Sequence, residues 1–266
     1  MTYQMDYACI CQVGRVRANN EDNFWCCGLR LPAENTGLKG VATGSIPLKK
    51  LPALAVFDGM GGESSGEVAA CLASEKFGEY CMAHKHRLKK DEKGFWEEAC
   101  LSMNEAVASY GRENRISSMG TTAAMAVFTP ETAYFANLGD SRIYQKGEAS
   151  MVQISTDHVM GKGPFGKAPL TQYLGTLEEE TALEPSMVSL PVQAGSRYLL
   201  CTDGVTDMLT QKELWEILSC EASVGEAAAE LLERAMQKGG RDNLTAILCQ
   251  VEEKNEKFLW PWQKKS

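Results

Sequence analysis

The chain has 266 residues, 44% of them hydrophobic, and a formal charge of −8. That length builds one large domain around a sizeable core, and an acidic balance without a basic patch excludes the ordinary nucleic-acid binder. No stretch reaches the roughly 18 uninterrupted apolar residues of a spanning helix, and Met1 to Gly14 lacks a basic-then-apolar leader, so the expectation is a cytoplasmic protein without a membrane span. Ten cysteines with no Cys-x-x-Cys spacing read as small buried thiols rather than zinc ligands.

In chain order, Tyr3 to Val13 alternates as a strand. A polar segment, Gly14-Arg-Val-Arg-Ala-Asn-Asn-Glu-Asp22, then precedes the apolar Phe24-Trp-Cys-Cys27. Arg17 stands four positions before Glu21, where a loop can hold its guanidinium near an ion bound by the acids without neutralising them. Such a fork-shaped donor suits a phosphate dianion, and the alternative is an exposed surface charge. Leu31 to Pro52 carries prolines, glycines and lysines without periodicity and reads as a surface loop.

Ala53-Leu-Ala-Val-Phe-Asp-Gly-Met-Gly-Gly62 is an apolar run that delivers Asp58 into a turn of glycines. Burying an unpaired carboxylate costs more than one strand's packing offsets, so Asp58 faces water or holds a cation. The glycines allow a carbonyl to approach whatever it binds; an ordinary turn is the alternative. The same design recurs at Tyr134-Phe-Ala-Asn-Leu-Gly-Asp140 and at Arg197-Tyr-Leu-Leu-Cys-Thr-Asp203-Gly204. Asp242 precedes its apolar run, as an antiparallel neighbour requires, so four strands aim carboxylates at one edge.

Helical spacing covers Glu63 to Ala83 and Glu92 to Arg115. Gly120 to Phe128, Thr132 to Asn137, Ser141 to Lys146 and Ala149 to Ile154 read as an antiparallel meander. Val159 to Leu174 looks like an irregular flap of the kind that carries specificity. Strands follow at Met187 to Pro191 and Arg197 to Thr202, helices at Gln211 to Ser219 and Val224 to Lys238, and a closing strand at Leu244 to Val251. Strands and helices in blocks favour antiparallel sheets with helices packed outside.

The ordered set Arg17…Glu21-Asp22, Val56-Phe-Asp-Gly-Met-Gly-Gly62, Gly120-Thr-Thr122, Asn137-Leu-Gly-Asp-Ser-Arg142, Thr156-Asp-His158, Asp203-Gly-Val-Thr-Asp207 and Asp242-Asn-Leu-Thr245 resembles the metal-dependent serine/threonine protein phosphatases of type 2C (PPM), in their compact bacterial form. The resemblance runs from Tyr3 to Val251. It implies an α+β fold, an αββα sandwich of two antiparallel sheets flanked by antiparallel helices, with the active site at one edge between the sheets. The implied catalytic domain is 1–252, followed by a short tail, 253–266.

Carried over position by position, the resemblance makes Asp58 the bridge between two Mn²⁺ or Mg²⁺ ions. Asp203 and Asp242 complete one site, and Glu21 with the Gly59 carbonyl completes the other. Asp22 holds water at the ions and Arg17 binds the substrate phosphate. Asp140 and Asp207 hold a weaker third ion, the alternative for Asp207 being a cap on the helix near Gln211. Gly120-Thr-Thr122 and Ser141-Arg142 support the sheets. The chemistry implied is hydrolysis of phosphoserine and phosphothreonine in proteins by a water that two metal ions activate.

Implied partners are phosphorylated proteins, set against a Ser/Thr kinase, with the enzyme a monomer. Two positions depart from relatives: Met60 stands where many eukaryotic members have a histidine, and Glu63 where bacterial members often have one. A phosphoprotein-binding module without turnover and a phosphatase of small phosphoesters are the competing readings. The tail sequence Phe258-Leu-Trp-Pro-Trp262 either docks a partner, touches a membrane or packs on the domain.

Overall fold

The apolar runs of this chain are continuous because the strands that carry them are covered on both faces. The computed structural model describes residues 2–61, 65–116, 118–161, 168–176 and 182–254. In chain order they form β1 (Thr2–Gln12), β2 (Asp22–Cys26), β3 (Ala42–Pro47), β4 (Ala53–Gly61), α1 (Gly66–His84), α2 (Glu92–Asn114), β5 (Met119–Thr121), β6 (Ala123–Phe128), β7 (Thr132–Leu138), β8 (Arg142–Lys146) and β9 (Met151–Gln153). Then come β10 (Ser186–Pro191), β11 (Arg197–Cys201), α3 (Asp203–Thr206), α4 (Gln211–Ser219), α5 (Val224–Gln237) and β12 (Leu244–Lys254).

One sheet runs β3-β1-β12-β11-β8-β9 and the other β10-β7-β6-β4-β2, with β5 paired to β4 beyond β6. Every described pairing is antiparallel. Side-chain alternation divides each strand between two cores. In β4, Leu54 and Val56 enter the core between the sheets while Ala55 and Phe57 face α1 and α2. In β12, Ile247, Cys249 and Val251 face the opposite sheet while Ala246 and Leu248 meet α4 and α5. The order of layers is therefore helices, sheet, sheet, helices, as the resemblance implies. Burying one such Phe or Leu side chain contributes about 1.5–3 kcal/mol.

Local signals fix the helix ends. Asp91 accepts from the Gly94 N–H at the start of α2. Thr210 with Glu213, and Ser223 with Glu226, form reciprocal capping boxes at α4 and α5. Each satisfies backbone donors that the first helical turn leaves open. All ten cysteines carry free thiols, and Cys9, Cys11, Cys26, Cys201 and Cys249 are buried in strands, in line with the expected packing role.

Three expectations change. Leu31 to Pro52 is more than a loop: Ala42–Pro47 pairs with β1 as an edge strand, and Leu48–Lys50 forms a single 3₁₀ turn. The expected meander is split, because β6 and β7 pair in one sheet while β8 and β9 pair in the other. The chain changes sheets at Gly139, whose φ of +95° suits a residue without Cβ. Finally, β12 runs to Lys254, past the expected strand end and the expected domain boundary at 252. Glu63 and the Phe258 to Trp262 segment lie outside the described residues.

Candidate active site

The edge where the two sheets face each other collects the acids. On one side β2 pairs with β4 so that Asp22 is directly opposite Asp58. Cross-strand neighbours stand about 4.5–5.5 Å apart at Cβ, close enough for like charges to repel. Asp22 is 1% exposed, and its carboxyl accepts from the Thr202 hydroxyl at 2.9 Å. Burial pushes that carboxyl up to about 7, with the Thr245 and Thr202 hydroxyls pulling it down and Asp203 and Asp242 pushing it up. Asp58 is half-buried. Its carboxyl is raised well above the usual range, first by desolvation and then by Asp22, Asp203 and Asp140, and Asp203 is in hydrogen-bond contact with it.

The Asp58 backbone is held from the neighbouring strands. Its N–H donates to Thr122 Oγ1 at 3.1 Å, and its carbonyl accepts from Thr121 Oγ1 at 2.9 Å and from the Thr122 N–H at 3.0 Å. The Thr122 hydroxyl in turn meets that of Ser141 at 2.7 Å. Arg142 makes a forked bond to Asp157, with Nη2 2.6 Å from Oδ2. The two motifs expected to support the sheets thus also brace the strand that presents Asp58.

On the other side β11 and β12 are antiparallel neighbours, so Asp203 after one and Asp242 before the other reach the same end. Gly204 permits this approach: a Cβ there would lie 1.9 Å from the Asn243 carbonyl oxygen. Asn243 ties the edge together. Its Oδ1 accepts from the Glu21 N–H at 2.8 Å, and its Nδ2 donates to the carbonyls of Val13 and Asn19, both at 2.9 Å. Glu21 is half-buried, and its carboxyl is raised by burial and by Glu67. Gly59 and Gly66 touch beside it: a Cβ on Gly59 would lie 2.1 Å from the Gly66 carbonyl oxygen, and one on Gly66 would lie 3.0 Å from the Glu21 carboxyl carbon.

Arg17 differs from expectation. Rather than standing off the acids, its Nη2 lies 2.8 Å from Asp242 Oδ2, and Glu21 and Asp58 also act on its charge. A guanidinium near several carboxylates pairs with the one it can reach, so neither the non-neutralising loop nor the bare surface charge describes it. Asp140 sits just past the end of β7, within electrostatic reach of Asp58. Asp207 ends α3, its N–H donating to the Asp203 carbonyl at 2.7 Å. The capping alternative for Asp207 fails, because Thr210 caps α4.

These residues fit a hard cation. The donors are carboxylates and a backbone carbonyl, the set that Mg²⁺ and Mn²⁺ take. Acids from both sheets crowd one edge against one nearby guanidinium, and a divalent ion supplies the positive charge they lack. Among the described residues no three side chains stand as a preformed ligand group. Asp242 is paired with Arg17, and the contact between Asp58 and Asp203 favours a proton held between the two carboxyls.

Sequence reasoning gave no role to Thr202 or Asn243, although both lie within or beside the motifs it quoted. Their signal is faint: a Thr before Asp203 and an Asn after Asp242 look like turn residues until the strands are paired.

A family model described as protein phosphatase 2C matches residues 42–249. The serine/threonine phosphatase stp of Listeria innocua is 28% identical over 89% of this chain and 92% of its own length. The serine/threonine protein phosphatase PstP of Mycobacterium tuberculosis is 29% identical over 94% of this chain, which spans only 46% of that protein. Among solved structures, the M. tuberculosis phosphatase PstP/Ppp superposes with a TM-score of 0.74 at 27% identity, covering 94% of this chain and 100% of that one. A PstP catalytic domain in complex with two manganese ions gives a TM-score of 0.72 at 26% identity, over 95% and 100% of the two chains.

Proposed function

The chain belongs to the protein phosphatase 2C family, and on that premise we propose how its own residues carry the reaction. It is a metal-dependent serine/threonine protein phosphatase acting on phosphorylated proteins, with Mn²⁺ or Mg²⁺ as cofactor. Asp58, Asp203, Asp242, Glu21 and the Gly59 carbonyl would hold two ions, with Asp58 serving both, Asp203 and Asp242 one, and Glu21 with Gly59 the other. Bound there, the ions would acidify a water and neutralise charge on the phosphoryl oxygens.

The remaining steps belong to side chains. Asp22 orients the attacking water by accepting its hydrogen bond, and the Thr202 hydroxyl fixes that carboxylate's direction. Arg17 exchanges Asp242 for the substrate phosphate, offering two parallel N–H donors. Met60 has no proton to give, so the leaving alkoxide takes its proton from water or from another residue. Asp140 and Asp207 would hold a third, weaker ion. The catalytic domain takes in the expected 1–252 together with the last two residues of β12, Glu253 and Lys254.

The reading is carried by one observation: the register that sets Asp22 opposite Asp58, with Asp203 of the other sheet in contact with Asp58. We place the enzyme in the cytoplasm opposite a Ser/Thr kinase. The ten free thiols suit a reducing compartment, and only a kinase supplies phosphoprotein substrate. We take the enzyme to act as a monomer. The test is Mn²⁺-dependent hydrolysis of p-nitrophenyl phosphate and of a phosphothreonine peptide against a metal-free control. Full turnover in excess chelator after dialysis would sink the reading.

A further inference from the structure

A groove of about 690 Å³ opens beside the acid edge, within the volume range of ligand sites. Its near wall is the strand that presents Asp58: Met60 and Gly61 line it, and two residues of extended chain span at most about 7 Å. The far wall is the C-terminal end of α2, with Arg112 and Arg115. Leu170 and Tyr173 close a third side. No carboxylate is among the described lining residues, although the chain as a whole is acidic at −8.

The groove is kept open by its backbone. A Cβ on Gly120 would lie 2.8 Å from both the Leu174 carbonyl oxygen and Tyr173 Cδ2, so the floor takes no side chain there. Gly175, at φ +105°, adopts a backbone region that other residues rarely enter. Thr121 and Leu174 exchange both backbone hydrogen bonds at 2.9 Å, which sets Tyr173 over β5. Arg115 ends α2 in a left-handed conformation, φ +58°, and is exposed. Arg112 is partly engaged, with Nη2 2.8 Å from Glu105 Oε1.

We propose that this groove selects phosphopeptide segments that carry acidic side chains next to the phosphorylated residue, read by Arg115 and Arg112, with an apolar side chain seated against Met60 and Tyr173. The proposal rests on the phosphatase reading and deepens it. Charge complementarity identifies the occupant: Arg115, exposed at the end of α2, with Arg112 beside it sharing its charge with Glu105, attracts an acidic segment where no carboxylate stands among the described lining residues, while the acid edge next to them repels one unless its phosphate is held there. A substrate whose phosphate lies at Asp58 has its flanking residues directly over Met60.

The experiment compares kcat/KM, at saturating Mn²⁺, for phosphothreonine peptides with Asp, Ala or Lys scanned across the four positions on each side. p-Nitrophenyl phosphate, too small to reach α2, reports the chemistry separately, so a wild type inactive on it defeats the phosphatase reading rather than the groove. Acidic flanks on one side should be preferred over alanine by about two- to fivefold per exposed charge contact. The preference should lie in KM and should fade as salt shortens the screening length. Arg115→Glu should reverse it, favouring Lys flanks, and Arg115→Gln should abolish it without reversal. Equal kcat/KM across the panel in an enzyme active on p-nitrophenyl phosphate would overturn the proposal. A dimer that dissociates in Arg115→Glu, with flanks indifferent, would assign the groove to a second copy of the chain.

Discussion

Asp22 and Asp58 lie directly opposite each other across β2 and β4, a pairing of like charges that antiparallel sheets ordinarily avoid. Two Thr hydroxyls favour the Asp22 carboxylate, whereas Asp203 adds to the crowding at Asp58 and, with burial, drives that carboxyl toward its protonated form.

Asp58→Asn is expected to fold, since it removes a charge from a repelling cluster, and to lose activity by more than the roughly 10–100-fold typical of a lost supporting partner. Thermal melting with and without Mn²⁺ separates the causes. At a hundred times its Kd, Mn²⁺ should stabilise the wild type by about 2.7 kcal/mol, and this shift should be absent in Asp58→Asn. Residual turnover near wild type at saturating Mn²⁺ would mean the shared ligand lies elsewhere.

Arg17 competes for Asp242, being paired with it at 2.8 Å. Arg17→Ala should therefore raise KM for a phosphopeptide more than it lowers kcat, and should also lower the Mn²⁺ concentration giving half-maximal activity. The two effects have opposite signs on substrate and metal. An unchanged KM leaves Arg17 as a counter-ion only.

Thr202→Val keeps the shape and removes the hydroxyl that donates to Asp22 and accepts the Thr245 N–H at 3.1 Å. Two buried groups lose a partner, and stability should fall by about 1–3 kcal/mol on urea unfolding. Metal affinity or activity should weaken by about 10–100-fold. A loss of stability with the Mn²⁺ titration untouched would confine Thr202 to the frame.

Asp207 and Thr210 can now be told apart. Thr210→Ala removes the cap of α4 and should cost about 1 kcal/mol of stability with turnover kept. Asp207→Ala should leave stability near wild type and shift the Mn²⁺ dependence of turnover while calorimetry still counts the two tighter ions. A wild-type metal titration in Asp207→Ala would remove the third ion from the scheme.

Helices α1, α2, α4 and α5 and the acid-ending strands were legible because each is a local pattern: period 3.6 in the helices, apolar runs that stop at Asp58, Asp140 and Asp203. β3 was not, since Ala42-Thr-Gly-Ser-Ile-Pro47 is an edge strand without a continuous apolar face. Nor was the division of the meander, because pairing partners are chosen by what covers each face rather than by sequence neighbourhood. Thr202 lies 180 positions from Asp22 and Asn243 222 positions from Glu21; their bonds exist only once both sheets are in place.

The pairing of β1 with β12 along eleven residues sets a timetable for synthesis on the ribosome. β2, β4, β6 and β7 can find one another while later segments are still being made, but β1 must wait for almost the whole chain before its long partner emerges. Such distant pairing closes slowly and leaves unsatisfied strand edges exposed meanwhile. Asp242 arrives with that last strand, so a nascent chain released early holds Asp58 and Asp22 without Asp242, and on the proposed scheme it should be inactive.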